Sequence, residues 1–260
     1  MKKNRKGFTI IEVVIFLAIT SVIFMAIVLG TNNVMSRQRY NESTQNFTDF
    51  LRGVYSKLTS IENHGDGRSD KAIYGKLVTF GESTDINGEN NTYNEVFVYD
   101  IIGDVSSAIS SDNILNALKK LNIDVVKTEG DKTTYAGIAE MYSPRWEVRI
   151  ERTEDHELYK GAIIVVRSAS SGLINTYVLE GETLEVNRAV KMNSHVKILT
   201  DTTLAKFSNT RDANFCLYSD DGDLYNGMRR NVRVNANARN SSGVEAMPMD
   251  DSAQNACKKL

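Results

Sequence analysis

A single carboxylate stands inside an otherwise uncharged apolar run. Residues Phe8–Gly30 read FTIIEVVIFLAITSVIFMAIVLG, and Glu12 is the one charge among these 23. A carboxylate in that setting is expensive, so its presence points to a function and to a partner that neutralises it. The chain offers no cation nearby on the same helical face, because Arg5 and Lys6 lie across the break made by Gly7. Two other groups could carry chemistry. Cys216 and Cys257 either pair or remain free thiols, and Asp220, Asp221 and Asp223 surround Gly222. Three carboxylates about a glycine can hold calcium. The full ligand spacing of a helix–loop–helix calcium site is missing, however, and Asp-Gly is first a hairpin-turn signal. The turn reading is preferred, and no cofactor is expected.

Composition removes other classes. With 260 residues the chain can bury a sizeable core. Hydrophobic residues make up 41% and charged residues 25%, which is ordinary globular usage rather than disorder. Two Cys exclude a dense disulfide scaffold and a four-cysteine zinc site. His64, His156 and His195 are too scattered for a multi-histidine metal site. A formal charge of −2 gives no case for nucleic acid. Neither a nucleophile-elbow serine motif nor a phosphate-binding glycine loop is present, so no enzyme is expected.

The apolar run sets the topology. As a helix, Phe8–Gly30 spans about 34 Å, against a hydrocarbon core of about 30 Å. Lys2, Lys3, Arg5 and Lys6 precede it with no acid among them, and only Arg37 and Arg39 closely follow. That bias keeps the N-terminus in the cytoplasm and sends the remainder outside. An oxidising exterior favours a Cys216–Cys257 bond, whose loop closure contributes up to about 4 kcal/mol. A cleaved secretory signal is the simpler competitor. Val13–Leu29 is long for one, and no small-x-small cleavage site follows it. Neither that reading nor a plain anchor accounts for Glu12.

The segment Lys6-Gly7-Phe8-Thr9-Ile10-Ile11-Glu12, followed by its apolar run, resembles the N-terminal signal of type IV pilins and type II secretion pseudopilins. The shared pattern is a short basic leader ending in Gly, then Phe, three residues and Glu. The match covers roughly residues 1–34. The resemblance implies cleavage after Gly7 by a membrane prepilin peptidase and N-methylation of the new terminus, Phe8. Cleavage leaves 253 residues and removes four of the 31 basic residues against 33 acids, taking the formal charge from −2 to −6. It also implies that Glu12 pairs with the amine of a neighbouring subunit or of its own chain. Buried together, an acid and an amine stabilise one another, whereas either alone is disfavoured. One departure is the lack of a kink-forming Pro in Met25–Gly30; Ser21 and Gly30 are the remaining points where the helix could loosen.

Past Gly30, Phe47, Leu51, Val54, Leu58 and Ile61 recur at spacings of 4, 3, 4 and 3, an apolar stripe with Asp49, Arg52 and Ser56 largely opposite. The helix is expected to run from Phe8 to about Asn63, near 80 Å, ending at His64-Gly65-Asp66-Gly67. Strands are expected at Lys76–Phe80, Val96–Ile102, Arg145–Glu151, Gly161–Val166, Leu173–Leu179, Val196–Leu199, Asn214–Tyr218 and Asn231–Val234. In Arg145–Glu151, Trp146, Val148 and Ile150 should share the buried face, with the charges opposite. Ser107–Leu121 reads as a short helix through Ile114, Leu115, Leu118 and Leu121. Thr84–Asn94 and Asn235–Ala256 read as loops, the latter exposed and closed by the cysteines.

The expected class is α+β, a long N-terminal helix, half transmembrane and half amphipathic, packed on a C-terminal antiparallel sheet domain. The expected segments are residues 1–7 (leader), 8–30 (membrane and assembly half of the helix), 31–63 (amphipathic half) and 64–260 (extracytoplasmic domain). By resemblance, the chain is a structural subunit of a type IV pilus or secretion pseudopilus. Its size favours a minor subunit, and Glu12 disfavours the tip-most role. The implied partners are the peptidase, other pilin or pseudopilin subunits and the membrane assembly platform. The implied location is a single-pass membrane protein, later an extracellular filament or periplasmic pseudopilus. The alternative is a membrane-anchored surface adhesin or binding protein that uses the same signal.

Overall fold

The structure is a computed structural model and describes residues 9–58, 71–81, 94–104, 118–119, 121–123, 125–127, 134–146, 148–151, 157–168, 171–186, 198–219, 228–247 and 257. The chain divides into two units, Met1–Glu42 and Ser43–Leu260. Helix α1, Ile10–Lys57, is continuous for 48 residues through Ser21 and Gly30. Within the second unit the stripe is as expected. Phe47, Leu51, Val54 and Leu58 are buried, as is Tyr55, while Asp49 and Ser56 are exposed. Each such burial is worth roughly 1.5–3 kcal/mol, so packing rather than propensity holds this part of the helix. Thr48 Oγ1 donates to the Thr44 carbonyl at 2.8 Å, which satisfies a hydroxyl that is wholly buried. Ile61 and the expected stop at residues 64–67 lie outside the described residues.

The main sheet is fully antiparallel. Its strands are β1 (Lys71–Phe80), β2 (Val96–Asp104), β3 (Asn122–Ile123), β6 (Ile138–Tyr142), β8 (Gly161–Arg167) and β9 (Ile174–Glu180). The order is β3-β2-β1-β8-β9, with β6 also on β2. Two short strands, β4 (Val125–Lys127) and β5 (Thr134–Ala136), form a separate pair between β3 and β6 in the chain. Register places Leu77 opposite Tyr99 and Ile164, and Ile164 opposite Tyr177, so these side chains share one face. Leu118, Leu121, Val186, Ile198, Leu199 and Phe207 join them in a single buried cluster.

The opposite face carries Phe80, Val78 and Ile163 and meets α1. There Tyr55 Oη lies 2.9 Å from Thr176 Oγ1, which itself donates to the Ala238 carbonyl at 2.8 Å. A hydroxyl has one proton, so Tyr55 is the donor in the first bond. Lys76 and Asp100, directly opposed across β1 and β2, form a buried ion pair. Strand β1 bulges beside Gly75, where a Cβ would fall 2.5 Å from the Val165 carbonyl oxygen.

A second antiparallel sheet orders β12-β11-β10-β7: Val244–Ala246, Met228–Val234, Ala213–Ser219 and Val148–Glu151. Phe215 of β10 is wholly buried and ties the layers together. Its ring centroid lies 5.5 Å from Phe47 of the helix, 4.7 Å from Phe80 of the main sheet and 4.6 Å from Tyr159. Tyr142 stacks on Phe50 at 4.8 Å and donates to the Ser43 carbonyl at 3.3 Å.

The α+β architecture agrees with the sequence pattern, and four local expectations are corrected. Trp146 does not share the β7 face. It is 45% exposed with φ +61°, in a turn closed by Val148 N donating to the Arg145 carbonyl at 3.3 Å, and the strand starts only at Val148. Glu151, expected among the exposed charges, is buried because its register partner is Cys216. Ile198 and Leu199 are not a strand. They are buried in the cluster over the main sheet and lead into a short helix α2, Asp201–Leu204, capped by Thr200. The expected loop Asn235–Ala256 contains a 3₁₀ turn at Ser241–Gly243 and strand β12, whose Val244 is fully buried. Thr84–Tyr93 and most of Ser107–Leu121 lie outside the described residues.

Two outcomes follow. Phe215→Ala removes the shared ring of three layers and should cost about 3–5 kcal/mol, read as a fall in denaturant midpoint with little change in slope. Burial pushes the Tyr142 hydroxyl up to about 12, whereas the unfolded chain ionises near 10. The contribution of the neutral Tyr142 hydroxyl to stability is therefore complete below about pH 10 and is lost as pH rises through about 12. In Tyr142→Phe that part of the alkaline loss should be absent from a pH series of thermal melts.

Candidate functional site

The first unit is best built from its helix start. Thr9 is the N-cap of α1, Ile10 its first residue and Glu12 its third. Thr9 N and Thr9 Oγ1 both donate to Glu12 Oε2, at 2.9 and 3.0 Å. Glu12 N donates in return to Thr9 Oγ1 at 3.3 Å. This is a reciprocal capping box, in which two otherwise unpaired backbone donors are satisfied by side chains. The sequence carries its signature, Thr-x-x-Glu ahead of an apolar run, and charge alone did not reveal it. The sequence offers Glu12 no cation on its own helical face. Its partners there are the two neutral donors of Thr9, and among the described residues no cation reaches it.

From this cap the helix presents apolar side chains on every side. Ile10–Val28 is long and apolar enough to cross a membrane, and none of it is buried within the chain. A helix that is apolar all round requires a nonaqueous surrounding. The hydroxyls in it do not break the pattern. Thr20 Oγ1 lies 2.8 Å from the Phe16 carbonyl, and Ser21 Oγ donates to the Leu17 carbonyl at 2.7 Å. Each is satisfied by the preceding turn, as an apolar medium demands. Ser21 therefore does not interrupt the helix. Glu12 is left as the one charge of the span. Gly7 and Phe8 lie outside the described residues.

In the second unit Cys216 and Cys257 form a disulfide, with Cα atoms 5.6 Å apart and both residues buried. Cys216 sits mid-strand in β10, between Glu151 of β7 and Asn231 of β11. The bond thus fixes residue 257 against the middle of the second sheet. Asp220, Asp221, Asp223 and all three histidines lie outside the described residues. Among the described residues no group of three or more His, Cys, Asp and Glu is placed to hold a metal.

Residues 2–28 match the family model described as a prokaryotic N-terminal methylation motif. No curated protein and no solved structure is a match for the chain. The motif and the helix together define the class: the chain carries the prepilin-type cleavage and methylation signal of type IV pilins and pseudopilins. This supports a pilin-like or pseudopilin subunit, a structural class that is usually not enzymatic, made as a membrane-anchored precursor.

The disulfide is open to direct test. Thiol alkylation of the denatured, unreduced chain should label neither cysteine. Cys257→Ser should lower stability by about 2–4 kcal/mol, measured against the oxidised wild type.

Proposed function

We propose that this chain is a subunit, of minor abundance, of a type IV pilus or type II secretion pseudopilus. Prepilin peptidase cuts after Gly7 on the cytoplasmic face and methylates the amine of Phe8. The freed amine of one subunit then meets Glu12 of the next, which sets their axial register. The observation that carries this reading is the methylation motif over residues 2–28, joined to a span whose apolar side chains are all left uncovered by the chain.

The physical order of events supports it. The basic leader holds the helix in the bilayer with its N-terminus inside. Cleavage removes that anchor and creates the only new cation near Glu12. An acid and an amine that are each costly in an apolar bundle become acceptable as a pair. Assembly is thereby gated by processing, because an uncleaved neighbour has no amine at Phe8 to offer. The role as a minor subunit rests on size: 253 residues after cleavage is large for the repeating unit of such filaments. The chain's partners are the peptidase, other subunits bearing the same signal and the membrane assembly platform. The second unit then lies outside the cytoplasm, where Cys216–Cys257 persists.

The experiment is mass spectrometry of the chain recovered from sheared filaments or purified pseudopili. A chain beginning at methylated Phe8, present in trace amount, is the expected result. Polymerised chains that still carry Met1 to Gly7 would end this reading. Glu12→Ala should insert and be cleaved as the wild type is, yet be missing from the polymer; immunoblots of membrane and sheared fractions measure this.

A further inference from the structure

We infer that Lys76 and Asp100 condense into an intramolecular isopeptide bond, a covalent cross-link between β1 and β2 that needs neither an oxidant nor a cofactor. The inference stands apart from the filament reading of the first unit, since both residues lie in the main sheet of the second. Lys76 Nζ and Asp100 Oδ1 are in contact, and the two side chains are only 8% and 10% exposed. Register places the residues directly opposite one another on neighbouring strands. The surroundings on this face are hydrocarbon. Val165 of β8 stands opposite Lys76 on its other side, and the opposed pair Val78 and Val98 lies two residues along. All three valines are buried. Thr176 continues the row beyond Val165, but its hydroxyl is committed to Tyr55 and Ala238.

The two groups are poorly served as an ion pair. An ammonium has three protons to donate and a carboxylate two oxygens to accept with. Among the described residues, however, these side chains bond only to each other. Buried charges so placed recover little of their lost hydration. Passing one proton from Nζ to the carboxylate leaves a free amine touching a carboxylic acid, and neutral groups cost less to bury than charged ones. The amine nitrogen then adds to Cγ. The Cγ–OH bond breaks, and the hydroxyl leaves with a second amine proton as water. An ammonium and a carboxylate thus become one amide and one water, with no atom or charge left over. Holding both groups in contact within a packed sheet makes the step unimolecular, in place of the high concentration it would need in solution. The product ties together residues 24 apart in the chain and removes two charges from the core.

The test is trypsin digestion of the denatured full chain, read by mass spectrometry. Trypsin does not cut after a lysine whose amine is acylated. The chain should therefore yield Ala72–Lys119 uncut after Lys76 and lighter by one water than its sequence requires. Fragmentation should place the lost water in a link between Lys76 and Asp100. Lys76→Arg keeps the charge but offers no nucleophilic amine. In that variant cleavage after position 76 should return and the water loss should vanish. Recovery of unmodified Ala72–Lys76 as the main product of the wild-type chain would overturn the inference. So would a water loss that persists in Lys76→Arg, because an aspartate closing onto its own backbone would then be its source. The wild-type digest can overturn the bond by itself, so a variant that fails to fold does not shield it.

Discussion

A charge that must reside in apolar surroundings governs the N-terminal unit. A carboxylate loses its hydration there and must be given donors, a counter-ion or a route to the interface. The first turn of α1 answers the first need through Thr9, at the place where four backbone N–H groups would otherwise lack partners. The two shortages cancel: the helix end needs acceptors and the carboxylate needs donors. The helix dipole acts in the same sense, favouring a negative group at this end. Glu12 is therefore tolerable in the span because it is near the start. A carboxylate displaced by two turns would meet backbone groups already bonded to one another.

One helix carries two unlike patterns, and the difference reports two surroundings. From Ile10 to Val28 apolar side chains occupy all sides, and the uncharged polar exceptions, Thr20 and Ser21, fold back onto the preceding turn. From Phe47 to Leu58 the apolar residues narrow to a stripe, with Asp49 and Ser56 left in solvent. The stripe meets a sheet that is buried on both faces. This explains why β8 reads as the nearly unbroken apolar run Gly161–Val166 rather than as an alternation. The polar contacts between the helix-facing side of the sheet and its cover include the chain Tyr55 to Thr176 to Ala238 and the pair Lys76 with Asp100. A buried ion pair such as this adds little net stability, because the cost of desolvating both charges offsets most of their attraction.

Much of this was legible in the chain because it rests on period. The stripe, the apolar strands at Val96–Ile102, Gly161–Val166 and Leu173–Leu179, and the apolar span all follow from spacing or run length. What escaped depended on contacts between distant segments. Ile198 and Leu199 look like a short strand, yet they serve as cover for the main sheet. Glu151 is buried because it lies between Cys216 of β10 and Leu158. Alternation places Trp146 on the strand face, but a turn at Arg145 delays the strand start to Val148. β6 and β12 are edge strands of five and three residues, too brief to show a period. The capping box was different. It is a local four-residue pattern, legible from the spacing of Thr9 and Glu12 rather than from the charge of Glu12.

Two of the carboxylates taken out of water, among the described residues, show opposite solutions. Asp100 faces Lys76 directly across two strands, so its counter-ion is supplied in cis and its account is complete within one molecule. Glu12 receives neutral donors in cis, and among the described residues no counter-ion. A fold able to place a lysine opposite one buried acid has no physical obstacle to placing one near another. A Lys or Arg one turn from Glu12 would neutralise it permanently and leave nothing for a second molecule to supply. On the proposed reading, Thr9 holds the carboxylate with neutral donors, and the amine freed by processing, on a neighbouring subunit or on the chain itself, completes its compensation.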